Sequence, residues 1–337
     1  MTNPVLVELS RGAIVESQHR GAIAICDTVG NIVASWGDID RAVFPRSAFK
    51  SLQALPLVET GAADAFGLTD EHIALACASH SSEPMHVERV GAWLAKIGCR
   101  ESDLACGPHL PFHEPTAHAM LRSGERPCKL HNNCSGKHTG FLTVARHLGI
   151  AVEGYERPDH PVQVLVRQAI ADLCDLDPKH MLVGTDGCAA PNYAIPLSHL
   201  ARGMARLGAS TKLAPARASA AKRIVGAWKA HPLLVSGTGR ACADLIEASR
   251  GRAVVKTGAE AVFMAVLPDQ GFGVALKIDD GTTRAAETAM AKLLTLFQVA
   301  DENAPQIAER LNPPIKNWRG EVVGERRTTA VLAKLAR

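Results

Sequence analysis

A serine and a lysine three positions apart are the first candidate for covalent chemistry in this sequence. Ser47-Ala48-Phe49-Lys50 lies where the pattern predicts a helix start, and positions i and i+3 share a helix face. The lysine amine can therefore reach the serine hydroxyl. Because burial disfavours the charged ammonium, a buried lysine can lose its proton and accept the one from serine. The same spacing in Ser219-Ala220-Ala221-Lys222 lies in a basic stretch and indicates a solvated helix face.

A second lysine motif lies further along the chain, in a segment with strand character. Lys256-Thr257-Gly258 follows the serine–lysine pair, an order typical of class A β-lactamases and penicillin-binding proteins. A glycine on such a strand lets the backbone approach a substrate, and the lysine supplies charge or joins a proton relay. The alternative is a strand end whose lysine faces solvent.

Ser79 is the candidate for the middle part of that motif. The S-D-N element is not present, but Ala78-Ser79-His80-Ser81 stands roughly where it is expected. Ser79 can pair with Lys256 as a second serine–lysine couple. The alternative is a serine that caps a helix or a turn.

A run of hydrogen-bonding side chains around a glycine is the third candidate. It reads His131-Asn132-Asn133-Cys134-Ser135-Gly136-Lys137-His138, and it predicts a site loop because such a run is costly to bury without a function. Cys134 and Cys188 can meet in the fold, and two thiolates with one or two nitrogen ligands suit zinc. By composition, His131 or His138 would supply the nitrogen. The alternative is two buried free cysteines.

Taken together, these motifs resemble those of the rhizobial-type L-asparaginases. The matching segments are Pro45-Arg46-Ser47-Ala48-Phe49-Lys50, Ala78-Ser79-His80-Ser81, the run from His131 to His138, and Thr185-Asp186-Gly187-Cys188. The resemblance runs along nearly the whole chain. Members of that family have a fold similar to β-lactamases and serine glutaminases, act as homodimers, and hydrolyse asparagine to aspartate and ammonia. The resemblance therefore implies an L-asparaginase.

The resemblance also implies a role for each matching residue. Ser47 looks like the nucleophile with Lys50 as its partner, and Ser79 looks like part of a second pair with Lys256. The implied ligands of one zinc ion per chain are Cys134, Lys137 and Cys188, with water completing the shell. A lysine ligand replaces the histidine that composition suggested, and it has to lose its proton, which zinc favours.

Asparagine is a zwitterion, so its site needs a cation and an anion. Arg46, next to Ser47, can hold the α-carboxylate bidentately, and Asp186 can hold the α-ammonium. Asn133 and His80, both in the matching segments, complete the substrate-binding candidates. The alternatives are a structural ion pair for Arg46 and a turn residue for Asp186.

The expected chemistry is acyl transfer. Ser47 attacks the side-chain amide carbon after losing its proton to Lys50, backbone N–H groups near the helix start stabilise the oxyanion, and water cleaves the ester. Zinc held by two thiolates is a weak Lewis acid, so we expect it to assist by ordering the loop that holds Asn133 and Asp186. We do not expect it to generate the nucleophile.

Other functions fit parts of the same sequence. One extra methylene discriminates weakly, so a glutaminase or another serine amidohydrolase is an alternative. A thiol enzyme using Cys134 or Cys188 is a second. A zinc-containing amino-acid-binding protein without turnover is a third, although such a protein has no need of serine–lysine pairs.

Composition narrows the functional class. The 337 residues carry a net charge of +3 and only 4% aromatic side chains, and no dense basic run with aromatics appears, so we expect no nucleic-acid partner. No signal peptide or long apolar run is visible, so we expect a cytoplasmic protein without a membrane partner. The 9 cysteines are scattered without a CxxC pair and indicate reduced thiols.

The elements that must position these residues predict an α+β fold. Apolar alternation predicts strands near both ends of the chain. At the N-terminal end, Gly30-Asn31 lies between the apolar runs 22–25 and 32–34 and predicts a hairpin. Further predicted strands cover 254–258, 261–266 and 273–277, and predicted helices cover 84–96, 139–147, 161–174 and 284–297. We expect one antiparallel sheet formed from N- and C-terminal segments, with a helical middle lobe.

We treat the chain as a single amidohydrolase unit over residues 1–337. Its terminal α/β lobe is expected at roughly 1–60 and 235–337, and its helical lobe at roughly 61–234.

Overall fold

The computed structural model describes residues 2–210 and 212–333. Within them, the strands are β1 Val5–Arg11, β2 Ile14–Cys26, β3 Ile32–Trp36, β4 Ala42–Val43, β5 Val183–Thr185, β6 Pro191–Tyr193, β7 Ile195–Pro196, β8 Val254–Gly258, β9 Val262–Leu267, β10 Phe272–Ile278, β11 Pro314–Lys316 and β12 Val322–Thr328.

The α-helices of the same residues are α1 Lys50–Gln53, α2 Leu55–Glu59, α3 Ala62–Ala65, α4 Asp70–Ala76, α5 Pro84–Lys96, α6 Glu114–Ser123, α7 Ser135–Leu148, α8 Pro161–Cys174, α9 Leu197–Ala209, α10 Pro215–Ala230, α11 Pro232–Val235, α12 Ala241–Ala248, α13 Thr283–Leu296 and α14 Pro305–Leu311.

One antiparallel sheet joins the two ends of the chain. Its strand order is β11-β12-β1-β2-β10-β9-β8, and β3 pairs with the second part of β2. The long β2 connects the halves, because its first part pairs with β1 and its second part with β10. The expected α+β class, with an antiparallel sheet from N- and C-terminal segments, is confirmed.

The predicted hairpin at Gly30-Asn31 is also confirmed. The Asp27 carboxylate accepts hydrogen bonds from the backbone N–H groups of Val29, Gly30 and Asn31 at 2.8–2.9 Å, which closes the turn between β2 and β3. The turn fixes the register in which Ile25 faces Ala34.

Helix α9 packs directly on the sheet. A Cβ at Gly273 on β10 would lie 2.0 Å from the Ala201 carbonyl oxygen and 2.2 Å from the Ala205 nitrogen. Only glycine allows a strand and a helix backbone to approach so closely. The apolar face of α9, which includes Leu200, Met204 and Leu207, is fully buried, so this middle segment belongs with the terminal strands.

The chain divides into two compact units. The first, the sheet unit, contains residues 1–48, 195–209 and 244–337, and the second, the helical unit, contains 49–194 and 210–243. The expected lobe boundaries near 60 and 235 differ from these limits. Residues 49–60 and 235–243 lie in the helical unit, while α9 lies in the sheet unit because its apolar face covers β10.

The helical unit is built around α7. Every residue from Ser135 to Ala145 is buried, including the polar side chains of Lys137 and His138. Trp93 of α5 donates its indole N–H to Thr143 Oγ1 at 3.1 Å. The predicted helices 84–96 and 161–174 match α5 and α8, since both carry apolar residues at helical spacing.

Among the described residues, no helix is both long and apolar enough to cross a membrane.

Candidate active site

In the sheet unit, Ser47 lies in a 3₁₀ turn. The turn spans Arg46–Phe49, so the regular α-helix expected to start at Ser47 begins only at Lys50. Arg46 has φ 52°, a left-handed conformation that non-glycine side chains rarely adopt. Such strain persists where the surrounding structure enforces it, and it clusters at functional sites. The half-buried Ser47 thus follows a strained residue directly.

Strand β8 ends beside this turn. A Cβ at Gly258 would lie 2.5 Å from the Pro45 carbonyl oxygen and 3.0 Å from the Ala48 nitrogen, so only glycine permits the approach. Pro45 and Ala48 flank Arg46 and Ser47 in sequence. The sheet unit therefore brings the lysine–threonine–glycine strand against the turn of the predicted nucleophile.

Lys256 is fully buried on β8. Its Nζ donates to the Thr257 carbonyl oxygen at 2.8 Å. Lysine is almost never fully buried without a specific partner or function. A buried amine on the strand that touches the Ser47 turn is a functional-site candidate on geometry.

In the helical unit, Lys50 is the centre of a polar cluster. Its Nζ is fully buried and donates to the Ala78 carbonyl oxygen, to Ser79 Oγ at 3.0 Å and to Cys134 Sγ at 3.0 Å. Ser79 thus contacts Lys50, the lysine that was predicted as the partner of Ser47. The predicted partner of Ser79, Lys256, belongs to the other unit, so that pairing stays a prediction.

Backbone contacts hold the two partners of Lys50 in place. The Ser79 N–H donates to the Val235 carbonyl oxygen at 3.0 Å. Cys134 precedes α7 as its N-cap residue, and its N–H donates to Asn132 Oδ1 at 2.9 Å. Ser79 is therefore held by the end of α11, and Cys134 is held by the loop before α7.

The three implied zinc ligands lie together in the helical unit. Lys137 Nζ donates to Cys188 Sγ at 3.0 Å, and the Cys134 thiol hydrogen-bonds Cys188. All three side chains are at least 96% buried, since their exposed fractions are 4%, 2% and 4% for Cys134, Lys137 and Cys188. The sequence prediction that the two cysteines meet is confirmed.

The two cysteines of this cluster have pKa values shifted in opposite directions. The hydrogen bond from Cys134, together with the Lys137 charge, lowers the pKa of Cys188 against the effect of burial. The same hydrogen bond and burial raise the pKa of Cys134. Burial opposes the charged form of Lys137, but the charges of Cys188, Cys134 and Asp186 outweigh it and raise its pKa. These shifts favour the thiolate form of Cys188 and the neutral thiol form of Cys134.

The donor chemistry of the cluster fits zinc. Two thiols and one amine, buried and within hydrogen-bonding reach, are ligands that Zn²⁺ accepts, and binding would release the protons of Cys134 and Lys137. Among the described residues, no group of three or more His, Cys, Asp or Glu side chains could hold a metal. The implied set has only two such side chains, because its third member is a lysine.

The histidines that composition suggested as nitrogen ligands have other partners. His131 Nδ1 accepts the Cys128 N–H at 3.1 Å, and His138 Nδ1 lies 2.6 Å from the Tyr155 hydroxyl.

His80, a predicted substrate-binding residue, is fully buried with both ring nitrogens engaged. Its Nδ1 accepts the Ser82 N–H at 3.2 Å, so its Nε2 carries the proton and donates to Ser135 Oγ at 2.8 Å. Ser135 in turn donates to the Leu130 carbonyl oxygen. Burial, and then the neighbouring His86 and Lys50, lowers the pKa of His80 far below its usual value.

Two other predicted substrate-binding residues flank the cysteines. Asn133 Oδ1 lies 3.6 Å from Cys134 Sγ, and Asp186 Oδ2 lies 3.9 Å from Cys188 Sγ. Asp186 also closes its turn, because its Oδ1 accepts the Gly187 N–H at 2.9 Å. Arg46, the fourth candidate, lies in the sheet unit.

Sequence reasoning missed two residues that contact the predicted site segments. His109 Nε2 accepts the Asn133 N–H at 2.9 Å, a contact that no spacing in the chain signals. Glu83 binds Ser81 and Thr238, although a glutamate directly before Pro84 signals only a helix start.

Comparisons with known proteins give the family. The sequence model of the L-asparaginase II family matches residues 7–328. The comparison with curated proteins found no match to this chain. Among solved structures, the chain is similar to a β-lactamase from Mycobacterium bovis at 13% identity and TM-score 0.45, covering 83% of this chain and 95% of that one. It is also similar to a simvastatin synthase mutant from Aspergillus terreus at 11% identity and TM-score 0.42, covering 80% and 90%.

The family match spans the turn of Ser47, the Lys50 cluster and the cysteine–lysine cluster alike. The chain belongs to the L-asparaginase II family.

Proposed function

We propose that this protein hydrolyses L-asparagine to aspartate and ammonia through a serine nucleophile. The family supports an amidohydrolase. The observation that carries the proposal is the buried Lys50 amine, which lies 3.0 Å from the hydroxyl of Ser79 and directly follows the turn of Ser47. A buried lysine that contacts a hydroxyl can relay a proton in acyl transfer.

In the proposed reaction, Ser47 Oγ attacks the carbon of the side-chain amide while its proton passes to Lys50. Backbone N–H groups at the 3₁₀ turn stabilise the oxyanion. The C–N bond then breaks, and the protonated lysine gives its proton to the leaving ammonia. Water, deprotonated by the same amine, cleaves the ester and returns the proton to Ser47.

Ser79 extends the relay. Because its hydroxyl already accepts a hydrogen bond from Lys50 Nζ, it can pass a proton to or from the amine. We assign Lys256 as the second lysine of that relay, since it is buried on the strand that contacts the Ser47 turn.

Substrate recognition falls to four side chains in this proposal. Arg46 holds the α-carboxylate and Asp186 the α-ammonium, while the amide of Asn133 adds a neutral donor. His80 contributes indirectly, because both of its ring nitrogens already have partners. The backbone N–H of His80 donates to the Asn133 carbonyl oxygen at 3.2 Å and so holds the loop of Asn133.

We further propose one zinc ion per chain, held by Cys134, Lys137 and Cys188. When bound, it supplies a fixed positive centre that orders the loops of Asn133 and Asp186. Homodimer formation and a cytoplasmic location complete the proposal, the first from the sequence resemblance and the second from nine cysteines that are all free thiols.

The deciding experiment measures ammonia release from asparagine and from glutamine by wild type, Ser47→Ala and Ser219→Ala. Ser219 is the matched control, because it heads the other S-x-x-K and lies on α10. Asparagine turnover that is lost in Ser47→Ala and kept in Ser219→Ala supports the proposal. Turnover of glutamine alone would make the protein a glutaminase, and no ammonia from either amide would refute it.

A further inference from the structure

The carboxylate of Glu83 ties together two segments of the helical unit. Its Oε1 accepts hydrogen bonds from Ser81 Oγ at 2.6 Å and from the Thr238 N–H at 2.9 Å, and its Oε2 accepts from Thr238 Oγ1 at 2.8 Å. Glu83 is only 8% exposed. Three hydrogen bonds to a nearly buried carboxylate make a strong, charge-assisted junction.

Glycine at position 237 makes that junction possible. Its φ is 114°, a conformation that side chains rarely adopt. A Cβ there would lie 1.9 Å from Ser81 Oγ and 2.6 Å from Glu83 Oε1. The 235–238 segment is therefore pressed against the 79–83 segment without room for a methyl group.

Ser79 lies at the other end of the same contact. Its N–H donates to the Val235 carbonyl oxygen at 3.0 Å, so the two segments are joined both at Ser79 and at Glu83. Between these points Ser82 has φ 63°, a strained conformation that persists only where its surroundings enforce it. A short loop with one strained residue therefore links Glu83 to Ser79.

The Glu83 side chain does not serve its own helix. Glu83 is the N-cap residue of α5, yet its side chain makes no capping hydrogen bond. Burial alone would raise the pKa of its carboxyl, but the hydrogen bonds from Ser81 and Thr238 outweigh burial and hold that pKa below its usual value. The carboxylate is committed to the junction with Thr238.

We propose that Glu83 is a positioning residue, which clamps segment 79–83 to segment 235–238 and thereby sets the contact between Ser79 Oγ and Lys50 Nζ. The inference rests on the proposed function, in which Ser79 and Lys50 form the proton relay. It assigns a role to a residue that touches neither the substrate nor the reacting atoms.

The test compares Glu83→Ala, Glu83→Gln and Glu59→Ala with wild type. Glutamine keeps an oxygen for Ser81 and for the Thr238 N–H, and the Thr238 hydroxyl can turn to accept from its amide. Glu59 is the matched control, because its carboxylate in the same unit binds Arg217 through two hydrogen bonds of 2.7 and 3.0 Å. The readouts are amide hydrogen exchange of residues 77–83 and 235–240, and kcat and KM for asparagine.

In Glu83→Ala we expect faster exchange at both Ser79 and Thr238, with kcat lower by about tenfold or more and KM within about threefold, because misplacing a catalytic group slows the chemical step. Glu83→Gln should stay within about threefold of wild type, and Glu59→Ala should change neither readout at these residues. If Glu83→Ala does not fold, Thr238→Val replaces it as the test. This change removes one hydrogen bond to the Glu83 carboxylate and should lower kcat by about threefold.

Unchanged exchange at Ser79, unchanged kcat in Glu83→Ala, or an equal loss in Glu83→Gln would each overturn the proposal. A wild type that releases no ammonia refutes the proposed function instead. The exchange comparison still decides whether Glu83 clamps the two segments.

Discussion

Lys50 Nζ lies 3.0 Å from the sulfur of Cys134 and equally 3.0 Å from the hydroxyl of Ser79. One amine therefore contacts both the candidate proton relay and the candidate metal cluster. A change at Cys134 affects two systems, whereas a change at Cys188 affects the cluster alone.

Cysteine substitutions should separate these two effects. Cys134→Ala and Cys188→Ala should both lose bound zinc, measured as metal content after exposure to Zn²⁺, because each removes a thiolate. Only Cys134→Ala also frees Lys50 from one partner, so its kcat should fall further, by about tenfold relative to Cys188→Ala. Cys99→Ala, at a buried cysteine outside the cluster, should keep both. Equal kcat in the two ligand variants would contradict a link through Lys50.

An isosteric change should test the role of Asp186. In Asp186→Asn, the oxygen that accepts the Gly187 N–H remains while the charge is lost. We expect KM for asparagine to rise by about tenfold with a smaller change in kcat, since an ion pair to the α-ammonium is removed. Asp177→Asn is the control, because Asp177 closes a similar exposed turn with the Lys179 N–H. A KM that does not move would leave Asp186 as a turn residue.

Acid should destabilise the fold through two stacked histidines. His80 and His86 have ring centroids 5.1 Å apart and planes within 10°, and burial lowers the pKa of both. Above about pH 6.5 both histidines are neutral in the folded and in the unfolded protein, so they add no pH dependence to the free energy of unfolding. Below it the unfolded chain binds protons that the folded one does not, so stability falls by up to about 1.4 kcal/mol per pH unit for each histidine.

The measurement is the free energy of unfolding from urea titrations between pH 7 and pH 4. The charged and titratable groups that act on the pair are Lys50, Glu83, Arg89, His109 and His131. His86→Gln keeps a donor for the Leu233 carbonyl oxygen and should flatten the pH dependence, while the exposed His180→Gln should not. An equally steep loss in His86→Gln would remove His86 from the explanation.

Two glycine-to-alanine changes should have opposite effects on stability. Gly273→Ala forces a methyl group into the backbone of α9 and should cost more than about 3 kcal/mol in the free energy of unfolding. Gly226→Ala lies in α10 with no atom within 4 Å of the new methyl and should stabilise by about 0.5–1 kcal/mol, since alanine favours helix. A mild effect of Gly273→Ala would show that α9 can shift on the sheet.

Local patterns predicted much of the fold because they act over a few residues. The hairpin at Gly30-Asn31, the strands β8 to β10 and the helices α5 and α8 all carry their periodicity or turn residues in sequence. The 3₁₀ turn at Ser47 did not follow from spacing, because Arg46 adopts a left-handed conformation and the residues that flank Arg46 and Ser47 pack against Gly258, distant in sequence. The position of α9 in the sheet unit likewise depends on packing against β10, which is distant in sequence.

The sequence indicated which residues belong to the candidate site more completely than which of them contact each other. The motifs pointed to Lys50, Ser79, Cys134, Lys137 and Cys188, which the structure brings together in one unit. The contact of Lys50 with Cys134 was not foreseen, since S-x-x-K spacing indicates only a serine partner. Distances between separate loops are decided by packing of whole helices, which no local pattern encodes.

The sheet that joins both ends of the chain has a consequence during synthesis. The second half of β2, Gly21 to Cys26, pairs with β3 on one side and with β10 on the other, and β1 pairs with β12, so one side of this apolar strand stays unpaired in a nascent chain until residues 272–278 have been made. Residues 49–194 emerge earlier and can begin to collapse before β1 and β2 have their C-terminal partner strands. An unpaired apolar edge is prone to aggregation. Production of this protein should therefore depend on chaperones and on slow synthesis more than its final stability suggests.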